Sequence, residues 1–134
     1  MTATLVDANV ILDIATEDDD WLDWSQWQLA EAAERGPVVI NQVVYAEVSV
    51  RYDTIESLED ALPPDLYTRA HLPWDAAFLA AKAFRQYRKR GGVKTSTLPD
   101  FFIGAHAAVA GLTLLTRDAR RYRTYFPTLR IIAP

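Results

Sequence analysis

Short apolar runs alternate with helix-period segments along the whole chain, and this alternation is what most restricts the fold. Ala3-Thr4-Leu5-Val6, Val38-Val39-Ile40, Leu66–Leu72, Leu112–Thr116 and Leu129–Ile132 read as strands. Helical patterns separate them, and an order of strand, helix, strand predicts an α/β fold with a parallel sheet. Val38-Val39-Ile40 is apolar without a break, as a strand covered on both faces should be. No repeat, linker or low-complexity segment interrupts the pattern. At 134 residues, one domain over 1–134 is expected.

The first strand ends in Asp7, and a helical pattern begins at once with Val10, Ile11 and Ile14. In open parallel sheets, ligands bind beyond the carboxyl ends of the strands. Asp7 stands at such an end, with Asn9 two residues on. Asp7 would also serve as an ordinary helix N-cap. The fourth strand is followed by Arg117-Asp118, which brings a second acid to the same sheet edge. Glu47 falls on the apolar stripe of Val43, Val44 and Val48, where a carboxylate needs a cation or a donor. Its alternative is a surface pair with Arg51, one turn on. Asp100 opens the helix that runs to Ala110, three residues after Thr97, a spacing that also suits a capping box.

Four carboxylates cannot share a cleft unneutralised, because like charges raise one another's pKa. Hard divalent ions, Mg2+ or Mn2+, resolve the conflict with oxygen ligands. Charge distribution suggests what such ions would act on. Residues 1–67 carry 15 acids against two bases, a balance of −13, whereas residues 68–134 carry 12 bases against three acids, a balance of +9. That asymmetry suits a nucleic-acid partner, and equally suits two faces that attract each other within the fold. Acids that hold ions, in a chain with a basic half, point to phosphodiester chemistry.

Other features carry structural readings. Asp20 with Asp23, and Asp53 with Glu56, have the spacing of capping boxes. Trp21, Trp24 and Trp27 recur at i+3 and could form a core face or a partner-binding face. Phe78, Leu79, Ala81 and Phe84 are expected to point inward from a helix over Asp75–Arg90; Asp13, one helical turn beyond Asn9, reads as a surface acid or as one that supports the cluster from behind. His71 and His106 read as structural. Without Cys, Cys-based metal sites are excluded. The start of the chain lacks a signal-peptide pattern and no apolar run reaches about 18 residues, so a cytoplasmic protein with no membrane partner is expected.

Taken together, Val6-Asp7-Ala8-Asn9, Ala46-Glu47-Val48, the run Leu98–Ala107, the run Leu114–Tyr122, and the ending from Tyr125-Phe126-Pro127 to Ile131-Ile132-Ala133-Pro134 resemble the PIN-domain ribonucleases. Within them the chain is similar to the VapC-like toxins of bacterial type II toxin–antitoxin pairs. The resemblance implies a three-layer α/β/α sandwich and Mg2+- or Mn2+-dependent endoribonuclease activity. It assigns Asp7, Glu47, Asp100 and Asp118 to a metal-binding acidic cluster, with Thr116 and Asn9 in support. It also implies a cognate antitoxin and a homodimer. Arg85, Arg88, Lys89, Arg90, Lys94, Arg117, Arg120 and Arg121 are candidates for contacts to the RNA backbone. A phosphatase of the aspartyl-nucleophile type would want an acid where Asn9 stands, and a receiver domain a late Lys, whereas none follows Lys94. A catalytically silent protein- or RNA-binding module on a PIN-like scaffold is the remaining alternative.

Overall fold

The computed structural model describes residues 2–92 and 98–134. In chain order the elements are β1 (Thr4–Val6), α1 (Ala8–Ala15), α2 (Leu22–Arg35), β2 (Val38–Ile40), α3 (Gln42–Ser49), α4 (Ile55–Ala61), β3 (Tyr67–Arg69), α5 (Trp74–Lys89), α6 (Leu98–Ala110), β4 (Thr113–Leu115), α7 (Arg120–Tyr125) and β5 (Ile131–Ile132). The strands form one sheet in the order β3-β2-β1-β4-β5, and every pairing is parallel. The chain runs outward from β1 through β2 to β3, then returns to the other side of β1 with β4. The topological switch point therefore lies between β1 and β4.

All residues of β1, β2 and β4 are buried, while the edge strands β3 and β5 are only partly covered. Helices on both faces complete a three-layer α/β/α sandwich. Leu5, Val6, Ile40, Leu114 and Leu115 form the centre of the core. Against them lies α6, which buries Phe101, Ile103, Gly104, Ala105, His106 and Ala107. Phe101 joins Phe84, Tyr87, Tyr125 and Phe126 in an aromatic cluster that ties α5 and α7 to α6.

Several local expectations change. On α2 the buried row is Ser25, Leu29 and Ala32; Trp21 and Trp24 are half-covered and meet edge to face, and Trp27 is 65% exposed. Asp18, not Asp20, leads into α2, accepting from the N–H groups of Asp20 and Trp21. Thr54, not Asp53, caps α4 through Ser57. Along α5 the buried row is Ala76, Ala80 and Ala83, so Phe78 and Ala81 face outward, Phe78 with 66% exposure. Small residues win that face because they let α5 lie close against α6. The expected cap at Thr97 falls outside the described residues.

Asp13, expected at the surface, is 2% exposed. It accepts from the Ser25 hydroxyl at 2.8 Å and pairs with Arg117 at 3.0 Å. One carboxylate thus fastens α1 to α2 and to the end of β4. Among the described residues, no helix is long and apolar enough to cross a membrane.

Gly104 sets the distance between α6 and α7. A Cβ there would stand 2.5 Å from the Phe126 ring and 3.1 Å from the Tyr122 ring. Ala is the better helix former, but the buried rings cannot retreat freely. Gly104→Ala should lower unfolding free energy by about 1 kcal/mol or more in urea titrations; an unchanged or higher midpoint would contradict this packing.

Candidate active site

Parallel pairing of Val6 with Leu115 sets the site's geometry. The Asp7 N–H extends the ladder by donating to the Leu115 carbonyl at 2.9 Å. Asp7 and Thr116 therefore leave neighbouring strands side by side. The Asp7 side chain does not cap α1. Its Oδ2 accepts from the Thr116 hydroxyl and from the Tyr122 hydroxyl, each at 2.8 Å. Thr116 Oγ1 in turn accepts from the Asp118 N–H at 3.2 Å and from Asn9 Nδ2 at 3.4 Å. Asn9 Oδ1 accepts from the Arg117 N–H. One aliphatic hydroxyl and one phenol hold a single buried carboxylate, with the Asn9 amide behind the hydroxyl.

The Tyr122 oxygen also lies 3.4 Å from Asp100 Oδ1. Arg121 donates to the other Asp100 oxygen at 2.7 Å. Asp118 is exposed and pairs loosely with Arg120 at 3.6 Å. Glu47 sits on α3, half-buried, with Oε1 buried and without a hydrogen-bond partner. Among the ion pairs of the described residues, none joins Glu47 to Arg51. Asp7, Asp100, Asp118 and Tyr122 line a cavity of about 400 Å³.

The electrostatics follow burial. Burial, then the charge of Asp100, pushes Asp7 up to about 6 against the pull of its hydroxyl partners. Burial, then Asp7 and Asp100, pushes Glu47 up to about 7. Asp100 is raised by burial and held back by Arg121. Burial and the nearby carboxylates push the Tyr122 phenol well above its ordinary range, so it stays a neutral donor. His106 is lowered by burial. Asn41 Oδ1 accepts from the Val44 N–H, so its Nδ2 donates to His106 Nδ1 at 2.9 Å, and the imidazole is neutral and structural. His71 faces the Gln42 amide.

The basic candidates divide. Arg117 turns inward to Asp13 and lies over Trp21, so its charge is engaged within the fold. Arg121 sits inside the acidic site. Arg85, Arg88, Lys89, Arg90 and Arg120 are exposed, with Arg90 over the Tyr125 ring at the cavity wall. Lys94 lies outside the described residues. Tyr122 is the residue that sequence reasoning left without a role; a tyrosine one helical turn beyond a strand-end acid was the available signal.

As placed, no three carboxylates or imidazoles among the described residues stand close enough together to hold an ion. The donor set nevertheless suits a hard divalent ion: every candidate ligand is oxygen, two carboxylates are held up by burial and mutual repulsion, and Glu47 Oε1 lacks a partner.

Residues 4–127 match the family model described as PIN domain. No curated protein matches the sequence. Among solved structures, VapBC2 from Rickettsia felis, bound to a DNA fragment from their promoter, has a TM-score of 0.76 at 15% identity over 99% of both chains. VapBC-1 from nontypeable Haemophilus influenzae scores 0.73 at 16% identity over 98% of both chains. VapC20 of Mycobacterium tuberculosis, described as a sarcin-ricin loop cleaving toxin, scores 0.69 at 13% identity over 95% of this chain and 98% of that one. At these identities the likeness is one of fold.

A carboxyl with a raised folded-state pKa gives stability that is full below its unfolded value and lost as pH rises through the folded value. For Asp7 that window runs from about 3.8 to about 6. In chelator, Asp7→Asn should therefore gain melting temperature relative to wild type at pH 8, and the gap should narrow by pH 5. A gap independent of pH would contradict the buried, repelled carboxylate.

Proposed function

The chain belongs to the PIN domain family, and on that premise we propose that it is a metal-dependent endoribonuclease, the toxin of a toxin–antitoxin pair. The observation that carries the reading is the junction of Asp7 and Asp100 through the Tyr122 hydroxyl, beside the unpartnered Glu47 oxygen, at the switch point of the sheet. Asp7, Glu47, Asp100 and Asp118 would hold Mg2+ or Mn2+. When bound, such an ion lowers the pKa of a water and stabilises the leaving oxygen of a phosphodiester.

The chain's own groups do the rest. Thr116 and Tyr122 fix the Asp7 carboxylate in one orientation, with Asn9 steadying Thr116. Glu47, whose Oε1 has no partner, would hold the ion or orient a water on it. Arg85, Arg88, Lys89, Arg90 and Arg120 draw the RNA backbone to the cavity without reading its sequence. The likeness to VapBC structures supports an antitoxin as partner, and we extend it to a homodimer acting in the cytoplasm. The second reading, a silent binding module, draws on the exposed Trp27 and Trp74.

Total RNA incubated with purified protein and Mg2+, Mn2+ or EDTA separates the two. Cleavage should need the ion, and Asp7→Asn and Asp100→Asn should each reduce it at least about a hundredfold while the fold persists. Ion-dependent cleavage that survives both substitutions would overturn the site assignment. Tyr122→Phe, which removes one hydrogen bond to Asp7, should cost about tenfold; cleavage at the wild-type rate would remove Tyr122 from the machinery.

A further inference from the structure

The cation now inside the acidic site belongs to the protein. Arg121 Nη1 reaches Asp100 Oδ2 at 2.7 Å, and the neighbouring Tyr122 oxygen faces Asp100 Oδ1. Both Asp100 oxygens therefore meet consecutive residues of α7. A single guanidinium does not satisfy the site, because Glu47 Oε1 stays buried and unpartnered.

We propose that Arg121 competes with the divalent ion for Asp100, so that the guanidinium must release this carboxylate before an ion is held. The inference rests on the ion-binding reading given above. Three observations make Arg121 replaceable. First, the pair is open to water: the Arg121 and Asp100 side chains are 34% and 28% exposed. Second, Arg121 has another contact, since its Cζ lies 5.4 Å from the centre of the Tyr87 ring at the cavity wall. Leaving Asp100 therefore does not strand the charge, because an aromatic face attracts a guanidinium. Third, a hard divalent ion suits carboxylate oxygen better than a delocalised guanidinium does.

Arg117 shows the contrast. Its partner Asp13 is 3% exposed and also takes the Ser25 hydroxyl, so that pair locks the fold and does not exchange. Two arginines four residues apart thus have different roles, set by the depth of the acid each one meets. Once Arg121 leaves Asp100, its planar fork remains in the cavity, where it can bind a phosphate oxygen pair. Ion binding and substrate binding would then be linked through one side chain.

Mn2+ titration of the metal-stripped full chain, with free ion followed by electron paramagnetic resonance, tests the competition without using activity. Arg121→Gln should bind Mn2+ about fivefold to tenfold tighter than wild type, the scale of one charge-assisted hydrogen bond at a partly open site. Arg123→Gln removes the same charge from an exposed position of α7 and should change affinity by less than about twofold. Equal or weaker binding by Arg121→Gln overturns the inference and leaves the ion-binding reading intact. So does an equal gain in both variants, which would reduce the effect to net charge. Absence of Mn2+ binding in every protein overturns both. Should Arg121→Gln fail to fold, Arg121→Lys keeps the charge without the fork and should gain about twofold or more; no gain there also overturns the competition.

Discussion

A buried carboxylate held by two hydroxyls is the interaction on which this structure turns. Asp7 Oδ2 is shared by Thr116 and Tyr122, which come from the end of β4 and from α7. Each donor is in place for a separate reason. Thr116 stands beside Asp7 because β1 and β4 pair in parallel with Val6 opposite Leu115. Tyr122 reaches in because Gly104 lets α7 settle on α6 and because Phe126 and Tyr125 pack against Phe101. Sheet register, helix approach and aromatic packing therefore converge on one oxygen atom. Hydroxyl donors orient the carboxylate and lower its pKa, while burial and Asp100 raise it further than they lower it. The result is a ligand that is rigid, yet insufficiently neutralised by the protein alone.

Cations complete the arrangement at two depths. Arg117 neutralises Asp13 beneath the site, and its backbone N–H meets Asn9, which meets Thr116. Arg121 neutralises Asp100 within the site itself. The strong imbalance between an acidic first half and a basic second half is thus partly internal: Arg117 of the second half engages Asp13 of the first in the interior. Arg85, Arg88, Lys89 and Arg90 near the end of α5 stay exposed, as does Arg120 beside the cavity.

The fold was legible because its signals are local. Asp7 and Asp118 end runs whose apolar composition marks central strands, and the switch point follows from the order of the elements. Local pattern offered Asn9, Glu47 and Asp100, and the resemblance added Thr116; in the structure Tyr122 joins Asp7 to Asp100, Thr116 joins Asp7 to Asn9, and Asp118 lines the same cavity. What local pattern could not give was direction around a helix. Phe78 and Ala81 were read inward because apolar residues usually are, but close packing of α5 on α6 selected Ala76, Ala80 and Ala83. Asp13 looked like a surface acid because its partners, Ser25 and Arg117, lie 12 and 104 positions away. Tyr122 drew no chemical role, and Arg121 only that of a backbone contact, since their partners are set by tertiary approach at Gly104, which no local spacing encodes.

On the proposed function, Asp7 and Asp100 are two walls of one ion site. Anomalous diffraction from crystals soaked in Mn2+ tests it most directly. A manganese peak is expected between the Asp7 and Asp100 carboxylates, with Tyr122 still bonded to Asp7 and the Arg121 guanidinium away from Asp100. A peak elsewhere, or none with Arg121 still seated on Asp100 at saturating Mn2+, would contradict it.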